Sequence, residues 1–556
     1  MTKKPIIYQV MTRLFGNTCQ GRKPYGTIVE NGCGKMNDFD AATLENIHSL
    51  GATHVWYTGV IRHAMTTDYS VYGIPRQTPL VVKGKAGSPY AITDYYDVDP
   101  DLAVDVDKRM EEFLALVKRT HKAGMKVVID FVPNHVAREY HSIMKPEMVK
   151  DLGEDDNTDM HFSTSNNFYY CWGQPLDTSR LPYCGNHEDC YVENPAKATG
   201  NDHFDNSPGP NDWYETVKLN YGIDYCDAGG RSEHFSPIPD TWSKMTNILL
   251  FWAAKGIDAF RCDMAEMVPP QFWAWATDKV KYAYPHIQFI GEVYNPGQYR
   301  RYLSAGFDYL YDKVGMYDCL RDVICHRRPA AEITRQWQVN NDILDHTLYF
   351  LENHDEQRLA SDFFAADARK GIPGLIVSAL LNTNAMMIYA GQELGERGMD
   401  EEGFSGCDGR TTIFDYWSMD TIARGYYDRR RMKKQERELR DLYTKVLRLA
   451  NEESALREGV FYDLMYINPQ LAERQYAFLR KDNDTLFLIV ANFDDVTVQT
   501  SVKINRHAIE WLGLPHQLVT AKDMLSEYKC QLNLQPEMSI DLQIEAHGGL
   551  ILKINL

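Results

Sequence analysis

Nowhere in this chain does an apolar run reach the roughly 18 residues that a bilayer-spanning helix needs, so the sequence offers no helical membrane span. Positive charge is also in short supply. Lys and Arg number 59 against 77 Asp and Glu, a formal charge of −18, which repels polyphosphate, argues against nucleic acid as the main partner and favours a neutral substrate. The 11 cysteines are an odd number and lack the close Cys-x-x-Cys pairs of ordinary zinc sites. Mostly free thiols is the simpler reading, although Cys171, Cys184, Cys190 and Cys226 concentrate in one region near His187, where a disulfide or a metal stays open. Internal repeats and low-complexity tracts are missing too. The opening Met1–Pro5 runs straight into the strand-like Ile6–Phe15, leaving no room for the apolar core of a signal peptide. The expectation is a cytoplasmic protein, or an exported one whose leader is absent from this sequence.

What is present is an ordinary globular composition, 44% hydrophobic and 24% charged, in 556 residues, enough for two or three domains. Strand-like and helix-like stretches alternate. Ile6–Phe15, Thr53–Val60, Lys126–Phe131, Gly256–Asp263, Gln288–Val293, Phe307–Lys313, Leu348–Leu351 and Ala385–Ala390 read as strands. Amphipathic segments lie between them, among them Asp107–His121, ending at Gly124, and a helix opening at Pro269 or Pro270. Eight such units predict a (β/α)8 barrel, an α/β fold, built from residues 1–135 and 240–458 and closed by a helix over Tyr427–Leu449. The rhythm stops over 136–239, too long for a plain loop, so an inserted domain is expected after strand three. From 459 to 556 the pattern becomes alternating, with Gln475–Leu479 and Leu486–Val490 about a turn, and predicts a C-terminal antiparallel β-sandwich.

Barrel enzymes place their chemistry at the C-terminal ends of the strands. Strand three ends Asp130-Phe-Val-Pro-Asn134-His135, strand four Arg261-Cys-Asp263, strand five Gly291-Glu292, and strand seven Glu352-Asn353-His354-Asp355. Each taken alone has a structural explanation, and an isolated Arg-x-Asp is most simply a salt bridge. Together they crowd like charges into one mouth, where each raises the others' proton affinity, and that arrangement points to chemistry.

These four motifs, in this order, resemble the signature regions of the α-amylase family of retaining glycoside hydrolases, glycoside hydrolase family 13. The resemblance implies Asp263 as nucleophile, Glu292 as acid and base, and Asp355 as third carboxylate, acting on neutral α-glucans such as starch or maltooligosaccharides. Arg261, His135, His354 and Tyr90 correspond to residues around the sugar at the cleavage point, and Asp130 and Asn134 to residues that brace the arginine or touch calcium. Gly391-Gln392-Glu393 also resembles a family feature, with a structural role expected. The physics of a retaining pair asks for one ionised and one protonated carboxyl; Arg261 is expected to hold Asp263 low while Glu292, nearer other acids, titrates higher.

Some positions depart from the family pattern. Val217-Lys218-Leu219-Asn220 puts a lysine where calcium-binding relatives carry an aspartate, and the loop Glu30–Asp38 has Gly32-Cys33-Gly34 in place of an Asp/Asn-rich segment. No cofactor is expected to be required, and calcium, though possible, is unsupported at its usual positions. Glu266 and Met267 stand where many relatives have Lys-His on the leaving-group side, which implies an unusual preference there. Trp172, Trp213 and Tyr214 are candidate sugar platforms or ordinary packing. Transfer of the glycosyl unit to a second sugar by the same residues is the alternative activity; a non-catalytic carbohydrate-binding or assembly barrel is the remaining one.

Overall fold

The computed structural model describes residues 3–181, 190–398 and 401–556. Eight parallel strands close into a barrel: β1 Ile6–Met11, β2 His54–Thr58, β3 Lys126–Phe131, β4 Ala259–Cys262, β5 Gln288–Gly291, β6 Tyr309–Tyr311, β7 Thr347–Phe350 and β8 Ala385–Tyr389, with β8 pairing back onto β1. Alternation along these strands sorts the side chains. Val127, Ile129, Phe131, Phe260 and Cys262 turn outward into the layer shared with the helices, whereas Ile7, Trp56, Val128, Ala259, Ile290, Leu348 and Met387 fill the interior. One step above that apolar floor the inward positions become Gln9, Asp130, Arg261 and Glu292, so the same period of two that packs the barrel aims polar groups at its mouth.

Several elements differ from the sequence expectation. Strand one stops at Met11 and the chain turns into a short helix, Thr12–Phe15, where the Thr12 hydroxyl donates to the Thr58 carbonyl. Strand six is only Tyr309–Tyr311, followed by a π-helical turn over Lys313–Tyr317. The closing helix runs Lys434–Glu452 instead of starting at Tyr427, because a π turn at Ala423–Tyr427 and a 3-10 turn at Arg429–Arg431 come first, separated by the non-helical Asp428. The helix Pro270–Ala283 opens with proline at its first position, as read.

Between β3 and the helix Asp240–Ala253 the described chain forms only two- and three-residue strands; His135–Ala137 pairs antiparallel with Thr216–Lys218, which ties the end of this segment to the rim of β3. After the barrel come β9 Val460–Asp463, β10 Gln475–Lys481, β11 Thr485–Asn492, β12 Val498–Ile504, β13 Leu518–Asp523, β14 Lys529–Asn533, β15 Met538–Ile544 and β16 Gly548–Asn555. Six of them form an antiparallel sheet ordered β9-β10-β11-β16-β13-β14, and β12 pairs with β15 in a second sheet. Val502, Ile540 and Leu542 of the small sheet share a core with Leu488 and Leu552 of the large one. Cys171, Cys190 and Cys226 are not joined to one another by disulfides; Cys184 and His187 lie outside the described residues. Among the described residues no helix is long and apolar enough to cross a membrane.

The close of β5 depends on a missing side chain. A Cβ at Gly291 would lie 2.8 Å from Leu310 Cδ2 and from Phe307 Cδ1, both buried, so the packing there would have to shift to admit it. Gly291→Ala is expected to destabilise the protein by about 1–3 kcal/mol through overpacking. Thermal melting checks this; an unchanged melting point would contradict it.

Candidate active site

Two ladder hydrogen bonds carry the strand geometry one residue past β4 and β5. Asp263 N donates to the Phe131 carbonyl at 2.9 Å and Glu292 N to the Cys262 carbonyl at 3.1 Å. Cys262 pairs with Gly291 in the sheet register, so Asp263 and Glu292 stand at the same height on adjacent strands. Neighbouring strands lie about 4.7–4.9 Å apart, which makes these two carboxyl groups close neighbours by construction. Asp130 is the register partner of Arg261, one layer below.

Arg261 ties the group together. Its Nη1 lies 2.7 Å from Asp263 Oδ1 and 3.6 Å from Asp130 Oδ1, and its Nη2 lies 2.8 Å from Glu292 Oε2. Nε donates to the Tyr311 hydroxyl at 3.3 Å. The guanidinium is buried among aromatic rings, 5.2 Å from the Trp56 ring centre and 5.4 Å from that of Tyr90. Trp56 Nε1 donates to Asp130 Oδ2 at 3.0 Å, holding the lowest carboxylate in place.

A second set enters from β1, β7 and the loop carrying Tyr90. Gln9 Nε2 lies 2.7 Å from His354 Nδ1, and His354 Nε2 lies 2.6 Å from the Tyr90 hydroxyl and 3.1 Å from Asp355 Oδ2. With the Gln9 amide donating, Nε2 carries the ring proton and points at both oxygens. Tyr90 and His354 stack with centroids 5.2 Å apart. Asp355 keeps 41% of its side chain exposed, whereas Asp263 and Glu292 keep 8% and 3%, so the third carboxylate is the one that faces the open cleft. On the other side, Asn134 donates to the Gly200 carbonyl at 2.7 Å, and His135 packs against Trp213 with centroids 5.3 Å apart.

The electrostatics overturn one expectation. Arg261 does not hold Asp263 low: burial pushes that carboxyl well above the usual carboxylate range, against the arginine's pull, and the charge of Glu292 adds to the rise. The largest cause is the loss of water around a nearly fully buried carboxyl, which one shared arginine does not offset. Burial likewise lifts Asp130 to about 6, while burial with the Glu292 charge lifts Asp355 to about 7. Burial drives His135 down to about 3 and His354 well below its usual value, so both act as neutral donors or acceptors.

Around Arg261 and His354 the structure therefore brings together Asp263, Glu292, Asp355, Asp130 and Tyr90, while Asn134 and His135 stand just beyond β3 against Gly200 and Trp213. The sequence reading missed Gln9, Trp56, Tyr294 and Tyr311. Gln9 and Trp56 were open to discovery, since they occupy inward positions of β1 and β2, but neither belongs to a charged motif. Tyr294 lies two residues beyond Glu292 and donates its hydroxyl to Glu292 Oε1 at 2.6 Å. Glu393, in the Gly-Gln-Glu segment, accepts from Tyr8 and Tyr426 away from the cleft. Of the three aromatic platform candidates, Trp172 is 67% exposed, Trp213 lies against His135, and Tyr214 is buried with Lys83 over its ring. At the position where the sequence departs from the calcium-binding pattern, the Lys218 ammonium contacts Asn134 Oδ1 at 2.7 Å and Asp202 Oδ1 at 2.5 Å, so a side-chain cation serves those oxygens.

The model of the alpha amylase catalytic domain family matches residues 30–445. The chain belongs to the α-amylase family. It is thus an enzyme of the glycoside hydrolase class. Alpha-amylase 3 of Dictyoglomus thermophilum is 25% identical over 330 residues, 56% of this chain and 54% of that protein, so the chain matches about half of that relative's length. A cyclomaltodextrinase from a Bacillus species is 23% identical over 511 residues, covering 88% of this chain and 73% of its own. Among solved structures, the α-amylase of Geobacillus thermoleovorans, complexed with acarbose, superposes with a TM-score of 0.66 over 99% of this chain and 98% of its own at 19% identity, a likeness of fold.

The crowded acids give the fold a pH signature. In the unfolded chain an aspartate titrates near 3.9; in the native protein Asp130 and Asp355 titrate at about 6 and 7. The native state therefore binds more protons between pH 4 and 7, and the stability these groups contribute falls as pH rises through that window. Asp355→Asn is expected to melt about 1–2 °C above wild type at pH 8, an increment kept small by the exposure of the side chain, with the two curves converging near pH 4. Melting across pH 4–8 checks this; a variant no more stable than wild type at pH 8 contradicts it.

Proposed function

We propose that this enzyme hydrolyses α-1,4-glucosidic bonds of maltooligosaccharides or starch-like glucans with retention of configuration, through a covalent glycosyl-enzyme. The observation that carries the reading is the placement of Asp263 and Glu292 at matched heights on adjacent strands, sharing Arg261. A retaining pair requires carboxyl groups roughly 5–5.5 Å apart, close to the spacing of neighbouring strands.

In this reading the sugar at the cleavage point stacks on Tyr90, with His135 and His354 against its hydroxyls and Asp355 holding others from the open side. Asp263 attacks the anomeric carbon as a carboxylate while Glu292 gives its proton to the glycosidic oxygen, so the C–O bond breaks as the ester forms. Glu292, now a carboxylate, takes a proton from water, whose oxygen attacks the same carbon and releases Asp263. Arg261 compensates the charge that passes between the two acids. A sugar hydroxyl in place of that water would make the enzyme a transglycosylase, and chromatography of products from pure maltotriose separates the two: glucose and maltose alone for hydrolysis, longer chains for transfer. The Lys218 contacts support a reading in which calcium is not needed at that junction, so EDTA is expected to leave activity and melting point unchanged.

Asp263→Asn and Glu292→Gln are each expected to lower kcat on maltotriose by about 10³-fold or more, with melting points within a few degrees of wild type. Proton magnetic resonance of the first product is expected to show the α-anomer. No turnover by the wild type, as a non-catalytic barrel would give, wild-type-like turnover in either variant, or release of the β-anomer would refute the proposal.

A further inference from the structure

Glu266 was read as lining the leaving-group side, and the structure turns it elsewhere. Its carboxylate Oε2 accepts hydrogen bonds from the backbone amides of Tyr294 at 3.1 Å and Asn295 at 3.0 Å, and its carbonyl accepts from the Tyr302 hydroxyl at 3.0 Å. The loop after β4 therefore grips the loop after β5. The grip is mutual: Met264 N donates to Glu292 Oε2 at 2.7 Å. Met264 adopts φ 43 and ψ 42, the left-handed region that residues other than glycine seldom occupy, and this turn is what aims its amide across at Glu292 instead of along the strand. The Tyr294 hydroxyl then reaches Glu292 Oε1 at 2.6 Å, so both oxygens of that carboxyl have a protein donor and Oε2 also has Arg261 beside it.

We propose that Glu266 and Tyr294 are positioning residues that clamp Glu292 in the orientation needed to protonate the leaving oxygen. The inference rests on the acid role proposed above for Glu292. Physically, Glu266 fixes the backbone at Tyr294 and Asn295, that fixes the direction of the Tyr294 ring, and the phenol hydroxyl then pins the carboxyl that it touches. A carboxyl free to rotate would deliver its proton from the wrong angle, and proton delivery is the part of the reaction that depends on geometry at that oxygen.

The test compares two substrates that differ in their need for that proton. Maltotriose must have its leaving oxygen protonated, whereas α-maltosyl fluoride loses fluoride with little help from an acid. First-turnover rates are measured for Tyr294→Phe, Glu266→Ala and Glu266→Gln, with Glu292→Gln as reference. Tyr294→Phe and Glu266→Ala are expected to lose about 10-fold on maltotriose, a fraction of the 10²–10⁴ that general acid catalysis supplies, and less than about 3-fold on the fluoride, with their retained fluoride rate reporting a folded site. Glu266→Gln, whose amide oxygen still accepts the two backbone amides, is expected to recover most of the maltotriose rate. Equal losses on both substrates for Tyr294→Phe, or no loss on either, overturn the clamp. If Glu292→Gln itself lacks the contrast between substrates, the acid role falls and the clamp with it; if Glu292→Gln has the contrast and the clamp variants do not, only the clamp falls.

Discussion

One buried guanidinium has to serve three carboxyl groups. Arg261 touches Asp263 and Glu292 and lies within reach of Asp130, with no other cation among these contacts. Burial outweighs the arginine at Asp263 and Asp130, and the charge of Glu292 adds to the rise, so these acids are eager to keep protons. The fold tolerates the arrangement because Trp56, Tyr90 and Tyr311 wall the guanidinium off from competing water and Trp56 and Tyr311 add hydrogen bonds to the network. Stability is given up locally, and the proposed retaining reaction would use that crowding to keep a protonated and an ionised acid side by side.

The barrel produces this state with little more than period-two alternation. Val128 below Asp130, Ala259 below Arg261 and Asp263, and Ile290 below Glu292 form columns that are apolar at the floor and charged at the rim. Register then decides which columns meet, and the two residues beyond Cys262 and Gly291 inherit that register through single hydrogen bonds. The glycine at 291 belongs to the same logic, since close approach of Leu310 and Phe307 leaves no space for a Cβ just where the acid must be held.

Much of this was legible in the sequence. The order of the eight strands, the span without regular rhythm after strand three, the change to alternating strands near 459 and the carboxylates at four strand ends can all be read from patterning, because alternation and strand-end placement are local properties. What was not legible depends on contacts far apart in sequence. The sign of the shift at Asp263 follows from how deeply the closed barrel buries it, with Glu292 adding to the rise, which no single motif states. Glu266 was read on the leaving-group side because it stands where many relatives carry Lys-His, yet backbone amides at 294 and 295 capture it. Gln9 and Trp56 were overlooked for the same reason: their partners, His354 and Asp130, lie 345 and 74 residues away.

The central claim is that Asp263 becomes covalently bonded to sugar while Glu292 manages the protons. Intact-protein mass spectrometry of Glu292→Gln after brief exposure to α-maltosyl fluoride tests it most directly, because that substrate needs no acid to react and the variant lacks the base that would release the product. The account predicts a single added maltosyl unit, mapped by peptide fragmentation to Asp263. An unmodified protein that still consumes the fluoride, or an adduct on any residue other than Asp263, would contradict it.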